Sequence, residues 1–242
     1  MYEPRNYRHL IPDKGLVSFN VIVKETDLYI RASHNLKRKA LKLTQKYRDI
    51  LEKYIENNPA FLTSLNPLVF EKNAPLIVKA MLDASFKAGV GPMASVAGAI
   101  AEFIGRELSV YSPEIIVENG GDIYLKSLSN RLIGIYAGGS PFTGKIGLEV
   151  KGSDTPIGIC TSSGTVGHSL SLGKADAVIV VSNSTALADA AATAIGNLVS
   201  REEDIPRGIE FAQDIEGLKG LVIIKDDKMQ LWGDIMISQI EG

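Results

Sequence analysis

The segment Ser184–Asn197 carries the residues whose types and spacing are best suited to chemistry. It consists largely of Ala, Thr, Leu, Ile and Gly, and its polar members recur every four residues, as Thr185, Asp189, Thr193 and Asn197. Residues four apart lie on one face of a helix, so the pattern predicts a helix with one carboxylate between two hydroxyls. Carboxylate and hydroxyl oxygens are hard ligands of the kind that Mg2+ prefers. Asp189 and Thr193 are therefore candidate ligands of one small cation.

The alternative for Asp189 is structural. A partly buried carboxylate can be satisfied by neighbouring amide groups. The many alanines of the segment let other backbone come close to this face. From this helix alone the structural interpretation is favoured, because no second acid lies nearby in the sequence.

A glycine pair forms a second candidate segment. Asn119-Gly120-Gly121-Asp122 lies between two strand-like runs. A tight turn with glycine at positive φ is the favoured interpretation of the segment alone. The functional alternative is that the glycines bring backbone N–H groups close to a ligand while Asp122 orients polar atoms.

A third segment, 161–169, combines five hydroxyls, two glycines and a histidine after a strand-like run. Such a loop can bind phosphate through backbone N–H and hydroxyl donors, but polar surface loops look similar, and both interpretations stay open. The candidate phosphate donors are Thr161, Ser162, Ser163 and Gly164. His168 could carry a proton near neutral pH, although a single loop histidine is more often simply solvated.

Two glycine motifs are excluded by their context. The G-x-G-x-x-A match at 89–94 follows a predicted helix instead of a strand, and Pro92 lies inside it, so it does not indicate a dinucleotide-binding turn. The G-x-x-x-x-G-K match at 139–145 is followed by Ile146 and a strand-like run, where a phosphate-binding loop needs Ser or Thr and then a helix. A hairpin loop is expected there.

Composition excludes several classes of protein. With 26 Lys and Arg against 28 Asp and Glu, the net charge of −2 provides no basic field for nucleic acid or an anionic membrane. One cysteine, Cys160, and three histidines exclude an internal disulfide and argue against a Cys-based zinc site or a His-rich metal site. The amino-terminal residues do not resemble a signal peptide, and the charge-free stretch 155–173 is too rich in Gly, Ser and Thr to span a bilayer. We expect a single cytoplasmic domain covering residues 1–242.

The coarse pattern of elements predicts an α+β fold with a largely antiparallel sheet, because strands joined by short turns alternate with helices clustered in blocks. Predicted helices cover 35–58, 75–89, 92–108, 184–197 and the region around 207–213. Predicted strands are 16–24, 28–32, 115–118, 122–126, 132–137, 146–151, 158–161, 177–181, 221–225 and 229–232.

Four segments in this order resemble the ApbE superfamily, the flavin transferases that use FAD to attach FMN to a protein threonine. Residues 91–98 resemble the family's G-x-I-A-K-G-Y-A helix start, and 118–122 resemble its N-x-G-G-D turn with Glu in the first position. Residues 161–164 with His168 resemble its T-S-G…H loop, and 185–194 resemble its A-x-x-A-D-A-x-x-T-A helix. Together the segments cover roughly residues 75–200, which is far more specific than any one of them.

The resemblance implies a T-fold-like α+β architecture and a Mg2+ site formed by Asp189, Thr193 and a backbone carbonyl near Ala94. It also implies that the pyrophosphate of FAD lies against this metal and the 161–164 loop. The metal would polarise a phosphoryl oxygen and offset charge on the departing AMP. With the resemblance, a metal site becomes the favoured interpretation of Asp189.

This sequence also departs from the family pattern. The family's I-I-D-P-x-T-G after the histidine is replaced by Ser-Leu-Ser-Leu-Gly-Lys, and its Lys and Tyr are replaced by Ser95 and Ala97. The acid usual before the first glycine motif is absent, as is an export signal. The chain is thus similar to a shorter branch of ApbE-like proteins in which the metal and phosphate half of the site is kept.

Three functions follow from these patterns. The first is a Mg2+-dependent enzyme that acts on the phosphoanhydride of a flavin or other nucleotide, by transfer to an unidentified acceptor protein or by hydrolysis, with His168 as acid or base. The second is a protein that binds a flavin or nucleotide without turning it over. The third is a structural protein with a vestigial site, against which the Asp189 and Thr193 pair argues. A homo-oligomer is compatible with all three.

Overall fold

A computed structural model describes residues 15–164 and 173–240, and these residues form two antiparallel sheets and a layer of helices. The strands are β1 (Val17–Val23), β2 (Thr26–Ala32), β3 (Ile115–Asn119), β4 (Asp122–Lys126), β5 (Arg131–Gly134), β6 (Ile146–Val150), β7 (Ile157–Ser162), β8 (Ala177–Ser182), β9 (Leu218–Lys225), β10 (Lys228–Gly233) and β11 (Met236–Gln239). The helices are α1 (Lys37–Asn57), α2 (Ala60–Thr63), α3 (Leu76–Ala88), α4 (Val96–Leu108), α5 (Thr185–Leu198) and α6 (Ile205–Gln213). The predicted α+β class with a largely antiparallel sheet is confirmed.

Within these described ranges the strand order of the large sheet is β1-β2-β3-β4-β7-β8-β9-β10, and the small sheet has the order β11-β6-β5. Every neighbouring pair is antiparallel. Short connections such as 24–25 and 120–121 permit only antiparallel neighbours, because a parallel pair needs a long crossover.

The central strands of the large sheet, such as β3 and β8, are buried on both faces, which the sequence anticipates through unbroken apolar runs. In β8, Val178 and Val180 face the helices, whereas Ala177, Ile179 and Val181 face the small sheet. This alternation follows from the two-residue period of a strand. Each fully buried Val or Ile contributes about 1.5 to 3 kcal/mol, so the two cores stabilise the sheet from both sides.

The connection between α3 and α4 is fixed by backbone geometry. α3 ends at Gly89, which has a φ of 72° and terminates the helix in the left-handed conformation. The chain then passes Gly91, where a Cβ would come within 3.1 Å of the Leu65 Cα, and enters a 3-10 turn at Pro92–Ser95 before α4 begins. Glycine therefore allows this turn to lie directly against residues 64–65.

The segment Gly139–Lys145 connects β5 to β6 as a loop, and the exclusion of a phosphate-binding loop here is supported by its hydrogen bonds. The N–H groups of Ser140, Thr143 and Gly144 are donated to the carbonyls of Ala137, Ser140 and Ile135. The hydroxyl of Ser140 donates to the carbonyl of Asp226. The N–H groups are thus used within the loop, and the Ser140 hydroxyl connects the loop to the turn at Asp226.

Some predicted boundaries were wrong. β5 ends at Gly134 instead of continuing to residue 137, and β11 was not predicted. β7 extends to Ser162, so Thr161 and Ser162 are strand residues and only Ser163 and Gly164 of the predicted phosphate loop follow the strand.

In the described residues no single helix is long and apolar enough to cross a membrane. Only Leu76–Ala88 together with Pro92–Leu108 reaches that size, with a bend of 105° between them.

The small sheet is tied to the large one by a polar contact around Glu114. Its Oε2 accepts hydrogen bonds from the Arg131 guanidinium at 2.8 Å, from the Leu128 N–H at 3.0 Å and from the Ser127 hydroxyl. Burial raises the pKa of Glu114, but the hydrogen bonds from Ser127, Arg131 and Leu128 outweigh it and lower the pKa to about 2. The charged form therefore stabilises the folded state.

Replacing Glu114 with Gln is expected to reduce the free energy of unfolding at pH 7 by about 2 to 3 kcal/mol. The folded pKa lies below the unfolded one, so this contribution is complete above about pH 4.5 and is lost as the pH falls toward 2. Urea unfolding at pH 7 and at pH 3 measures the effect. The expectation would be contradicted if the free energies of unfolding of variant and wild type differed by the same amount at both pH values.

Candidate functional site

α5 lies along β7 in the same direction, and small residues of the strand permit this close approach. A Cβ at Gly158 would come within 2.8 Å of the Thr185 backbone nitrogen at the start of α5. A Cβ at Gly196, near the end of the helix, would come within 3.2 Å of the Ser162 hydroxyl. Asp189 and Thr193 lie between these two points, and both are half-buried.

Asp189 accepts hydrogen bonds from the first turn of α4. Its Oδ2 lies 2.8 Å from the backbone nitrogen of Gly98, and the N–H of Ala97 also donates to the carboxylate. The first N–H groups of a helix have no partner within the helix, so a carboxylate here satisfies them. The structural interpretation of Asp189 thus holds in the structure, and a carboxylate with two oxygens can hold a cation as well.

The hydrogen bond from Gly98 to Asp189 also affects which partner is left for the Ala94 carbonyl. In a continuous α-helix the N–H of Gly98 would be the partner of this carbonyl. Here α4 begins only at Val96, and the Gly98 N–H is donated to Asp189. The 3-10 turn that contains Ala94 packs against α5. The Ala94 carbonyl is therefore outside the regular ladder of α4, at the helix start that Asp189 caps.

A second carboxylate, missed by sequence reasoning, caps α5 in return. Glu102 of α4 is only 3% exposed. Its Oε2 accepts from the Thr185 nitrogen at 2.7 Å, the Ala186 nitrogen at 3.1 Å and the Ser184 hydroxyl at 3.3 Å, while Oε1 pairs with Arg106. The signal in the sequence was similar to that of Asp189, namely one acid within the run of small and apolar residues at 96–105.

The glycine pair forms the predicted tight turn. Asn119 and Asp122 pair across it, and Gly120 and Gly121 have φ values of 71° and 110°, as a two-residue hairpin loop requires. The Asn119 side chain donates to the Ala97 carbonyl at 3.1 Å, which fixes the turn beside the start of α4. The Gly121 N–H donates to Glu118 at 3.2 Å, so it is used within the turn.

Asp122 lies next to this turn on the helix side of β4 and is 7% exposed. Its Oδ1 has no hydrogen-bond partner within the described part of the chain. Burial, the charge of Asp189 and the charge of Glu118 raise its pKa well above the usual value, against hydrogen bonds from the Cys160 thiol and the Thr161 N–H. Asp122 is thus a second carboxylate that could offer an oxygen to a cation, and the charged groups that shift its pKa are themselves acids.

The pKa of Asp189 is likewise raised, to about 7, because burial outweighs the hydrogen bonds from Gly98 and Ala97. Cys160 lies behind the two acids, and its thiol is 3.3 Å from the Thr185 carbonyl. Burial and the charges of Asp122 and Asp189 raise the pKa of this thiol, so it stays neutral and unreactive. A cation near the acids would favour their charged forms.

The predicted phosphate segment divides between two faces of the large sheet. Ile157 and Ile159 face the small sheet and Cys160 faces the helices, so the alternation places Ser162 on the side of α5 and Thr161 on the other side. Ser163 follows, half-buried, and the Gly164 N–H is donated to the Ala175 carbonyl at 2.9 Å. Of the four predicted donors, the Thr161 N–H donates to Asp122, the Ser162 side chain lies on the side of α5, and the Gly164 N–H is already used. His168 lies outside the described residues.

The donor set fits a Mg2+ ion that shares its coordination with a ligand. The described ranges contain no group of three or more His, Cys, Asp or Glu residues that could hold a metal ion. Mg2+ is commonly held by one or two carboxylates, with substrate phosphates and water completing the shell. Asp189, Thr193 and the Ala94 carbonyl supply oxygens of this kind on adjoining elements.

The chain is similar to a protein family and to solved structures. The family model described as AbpE bacteria matches residues 8–218. The UPF0280 protein MJ1526 of Methanocaldococcus jannaschii is 45% identical over 221 residues, covering 89% of this chain and 90% of the relative. The UPF0280 protein MK0206 of Methanopyrus kandleri is 41% identical over 225 residues, covering 90% and 91%.

Among solved structures, the apo form of the Pseudomonas stutzeri flavinyl transferase ApbE matches with a TM-score of 0.57 at 13% identity, covering 90% of this chain and 94% of that one. The flavin transferase ApbE from Vibrio cholerae matches with a TM-score of 0.50 at 13% identity, covering 90% and 96%. At this level of identity the structures show a shared fold.

Replacing Gly98 with Ala is expected to lower the free energy of unfolding by about 1 to 3 kcal/mol. Alanine normally stabilises a helix relative to glycine, but here the Cβ would come within 2.8 Å of the Asp189 Cβ and would also meet the Thr185 carbonyl. Gly139→Ala is the control, because a Cβ there would meet no atom within 4 Å. Denaturant unfolding would contradict the expectation if Gly98→Ala were as stable as wild type.

Replacing Asp122 with Asn is expected to stabilise the metal-free protein at pH 8. The folded pKa of Asp122 lies above the unfolded one, so its charge costs stability as the pH rises from about 4 through the folded pKa. Thermal unfolding in EDTA at pH 5 and pH 8 should show a gain for the variant that grows with pH. The exposed control Asp83→Asn should show none, and a loss for Asp122→Asn at pH 8 would refute the expectation.

Proposed function

Because this chain belongs to the family described as AbpE bacteria and is an ApbE-like protein with UPF0280 relatives, we propose that it binds a flavin or other nucleotide through its pyrophosphate, together with Mg2+. The site is the region beside α5 where the start of α4, the turn at 120–121 and the end of β7 meet. The name flavin transferase belongs to the structural neighbours, and it supports this proposal through the shared fold.

One observation carries the proposal. Asp189 satisfies the amide groups at the start of α4, and the Ala94 carbonyl precedes that helix on the turn that packs against α5. Thr193 is one turn further along α5, on the same face as Asp189. The three residues inferred from the sequence to hold Mg2+ thus belong to two elements in direct contact.

The residues of the chain have separate roles in the proposed reaction. Asp189, Thr193 and the Ala94 carbonyl would hold Mg2+, which when bound polarises a phosphoryl oxygen and offsets charge on the leaving phosphate. The Ser162 hydroxyl, near the end of α5, would donate to a phosphate oxygen. The charge of Asp189 raises the pKa of Asp122, and a bound cation would favour the charged form of both carboxylates.

The proposed chemistry is cleavage of the phosphoanhydride of FAD or a related nucleotide, with release of AMP. The acceptor of the other half is a protein hydroxyl in FMN transfer, or water in hydrolysis. His168 is proposed to take or supply the proton.

A second candidate is binding without turnover, and one observation favours it. The Gly164 N–H, predicted to be a phosphate donor, is donated to Ala175. The segment after His168 also lacks the Asp-Pro of the flavin transferases. A ligand would then be held by the cation and Ser162 without the complete set of groups for transfer.

Release of AMP from FAD in Mg2+ separates the two candidates. For the enzyme we expect release that is lost by at least about 100-fold in Asp189→Ala and reduced in Thr193→Ala, because each removes a proposed ligand of the cation. The matched control is Asp83→Ala, an exposed helical acid paired with Lys87, which should leave the rate unchanged.

Thermal unfolding with FAD, ATP or NAD in Mg2+ gives the second measurement. A rise in the unfolding temperature without AMP release would support the binding protein. If wild type shows neither release nor stabilisation with any of these nucleotides, both candidates are wrong.

A further inference from the structure

The two helices beside the proposed site cap each other, and this reciprocity is not part of the motifs that suggested the site. Asp189 of α5 accepts the N–H groups of Ala97 and Gly98 at the start of α4. Glu102 of α4 accepts the N–H groups of Thr185 and Ala186 at the start of α5. Two antiparallel helices are thus joined by two carboxylates that point in opposite directions.

The spacing of the contacts is matched on both helices. Gly98 and Glu102 are four residues apart on α4, and Thr185 and Asp189 are four residues apart on α5, so each pair spans about one helical turn, roughly 6 Å. A shift of α5 along its axis would therefore break the contact at Glu102 and the contact at Asp189 together. Gly98 contributes by allowing the helices to approach, because a Cβ there would be 2.8 Å from the Asp189 Cβ.

Glu102 is buried and fully hydrogen-bonded, as expected of a side chain that fixes one helix against another. It is 3% exposed, and its Oε2 accepts from two backbone nitrogens and the Ser184 hydroxyl. Arg106 pairs with its other oxygen and is itself largely exposed, which leaves the neutralising charge at the surface. Charge-assisted hydrogen bonds to the positive end of a helix are stronger than neutral ones.

We infer that Glu102 is a positioning residue for the proposed cation site: it fixes α5 along its axis and thereby holds the Asp189 carboxylate at the start of α4. Glu102 itself touches neither cation nor nucleotide. Groups that orient metal ligands in this way typically change metal affinity by 10- to 100-fold when they are replaced.

The first test uses amide hydrogen exchange and needs no metal. In Glu102→Ala, the N–H groups of Thr185 and Ala186 lose their acceptor and only the Ser184 hydroxyl still caps α5. The contact between Asp189 and Gly98 then weakens, and the amides of Ala97 and Gly98 should exchange at least about tenfold faster than in wild type. Amides of α1, such as that of Leu51, report on global stability and should change less. Glu102→Gln keeps the length and one carbonyl oxygen, so it should give an intermediate result.

The control is Glu114→Gln, which is expected to destabilise the protein through the contacts of Glu114 with Ser127, Leu128 and Arg131, none of which belongs to α5. If it accelerates exchange at Ala97 and Gly98 relative to Leu51 as much as Glu102→Ala does, the effect is one of general stability and the inference is wrong. Unchanged exchange at Ala97 and Gly98 in Glu102→Ala would also overturn it.

The second test measures Mn2+ affinity by electron paramagnetic resonance, with Mn2+ standing in for Mg2+. This arm rests on the proposed function, and we expect about tenfold weaker binding in Glu102→Ala and unchanged binding in Glu114→Gln. If wild type binds no Mn2+, the proposed function fails, while the exchange experiment still decides the role of Glu102. If wild type binds and Glu102→Ala binds equally well, the inference about Glu102 fails and the proposed function stands.

Discussion

The candidate site depends on one kind of interaction, a buried or half-buried carboxylate that accepts the unpaired N–H groups at the start of a neighbouring helix. It occurs twice between α4 and α5, at Asp189 and at Glu102. Each acid is stabilised by amides that would otherwise lack partners away from water. Two helices rich in alanine and glycine have few large side chains with which to define their relative position, and the carboxylates supply that definition.

The candidate site also requires that the backbones of α4, α5 and β7 pack closely against one another. Gly98 and Gly158 lie against the first two turns of α5, and Gly196 lies against the end of β7. These glycines bring the helix, the sheet and the start of α4 within hydrogen-bond distance of one another. As a result Asp122 and Asp189 share a region of low solvent exposure, where the charge of each is poorly screened. The repulsion between these two carboxylates is thus a consequence of the close packing around them.

Much of the fold could be predicted from the sequence, because apolar periodicity and turn residues are local signals. The hairpin of β3 and β4 was predicted with its turn, and the helices 75–89 and 92–108 were predicted nearly to the residue. β11 was not, because its half-exposed residues have no strong alternation, and its pairing with β6 depends on tertiary contact.

The site was predictable in part for the same reason. The four-residue spacing identified Asp189 and Thr193 as one helical face, but the capping of α4 by Asp189 joins residues 91 positions apart and leaves no local pattern. The division of Thr161 and Ser162 between two faces depended on where β7 ends, which is the least reliable feature of any strand prediction. Glu102 had a visible signal, although its partner helix could be identified only in three dimensions.

The described residues on either side of 165–172, Gly164 and Gly173, lie in contact with each other. Gly164 is paired with Ala175, a Cβ at Gly164 would come within 2.9 Å of the Gly173 carbonyl carbon, and Lys174 donates to the Val199 carbonyl at 2.8 Å. Chain inserted between two anchored points adds little conformational entropy cost, since doubling the inserted length costs only about 0.6 kcal/mol. The described scaffold can therefore accept a change in the length of chain between Gly164 and Gly173 without loss of its own contacts.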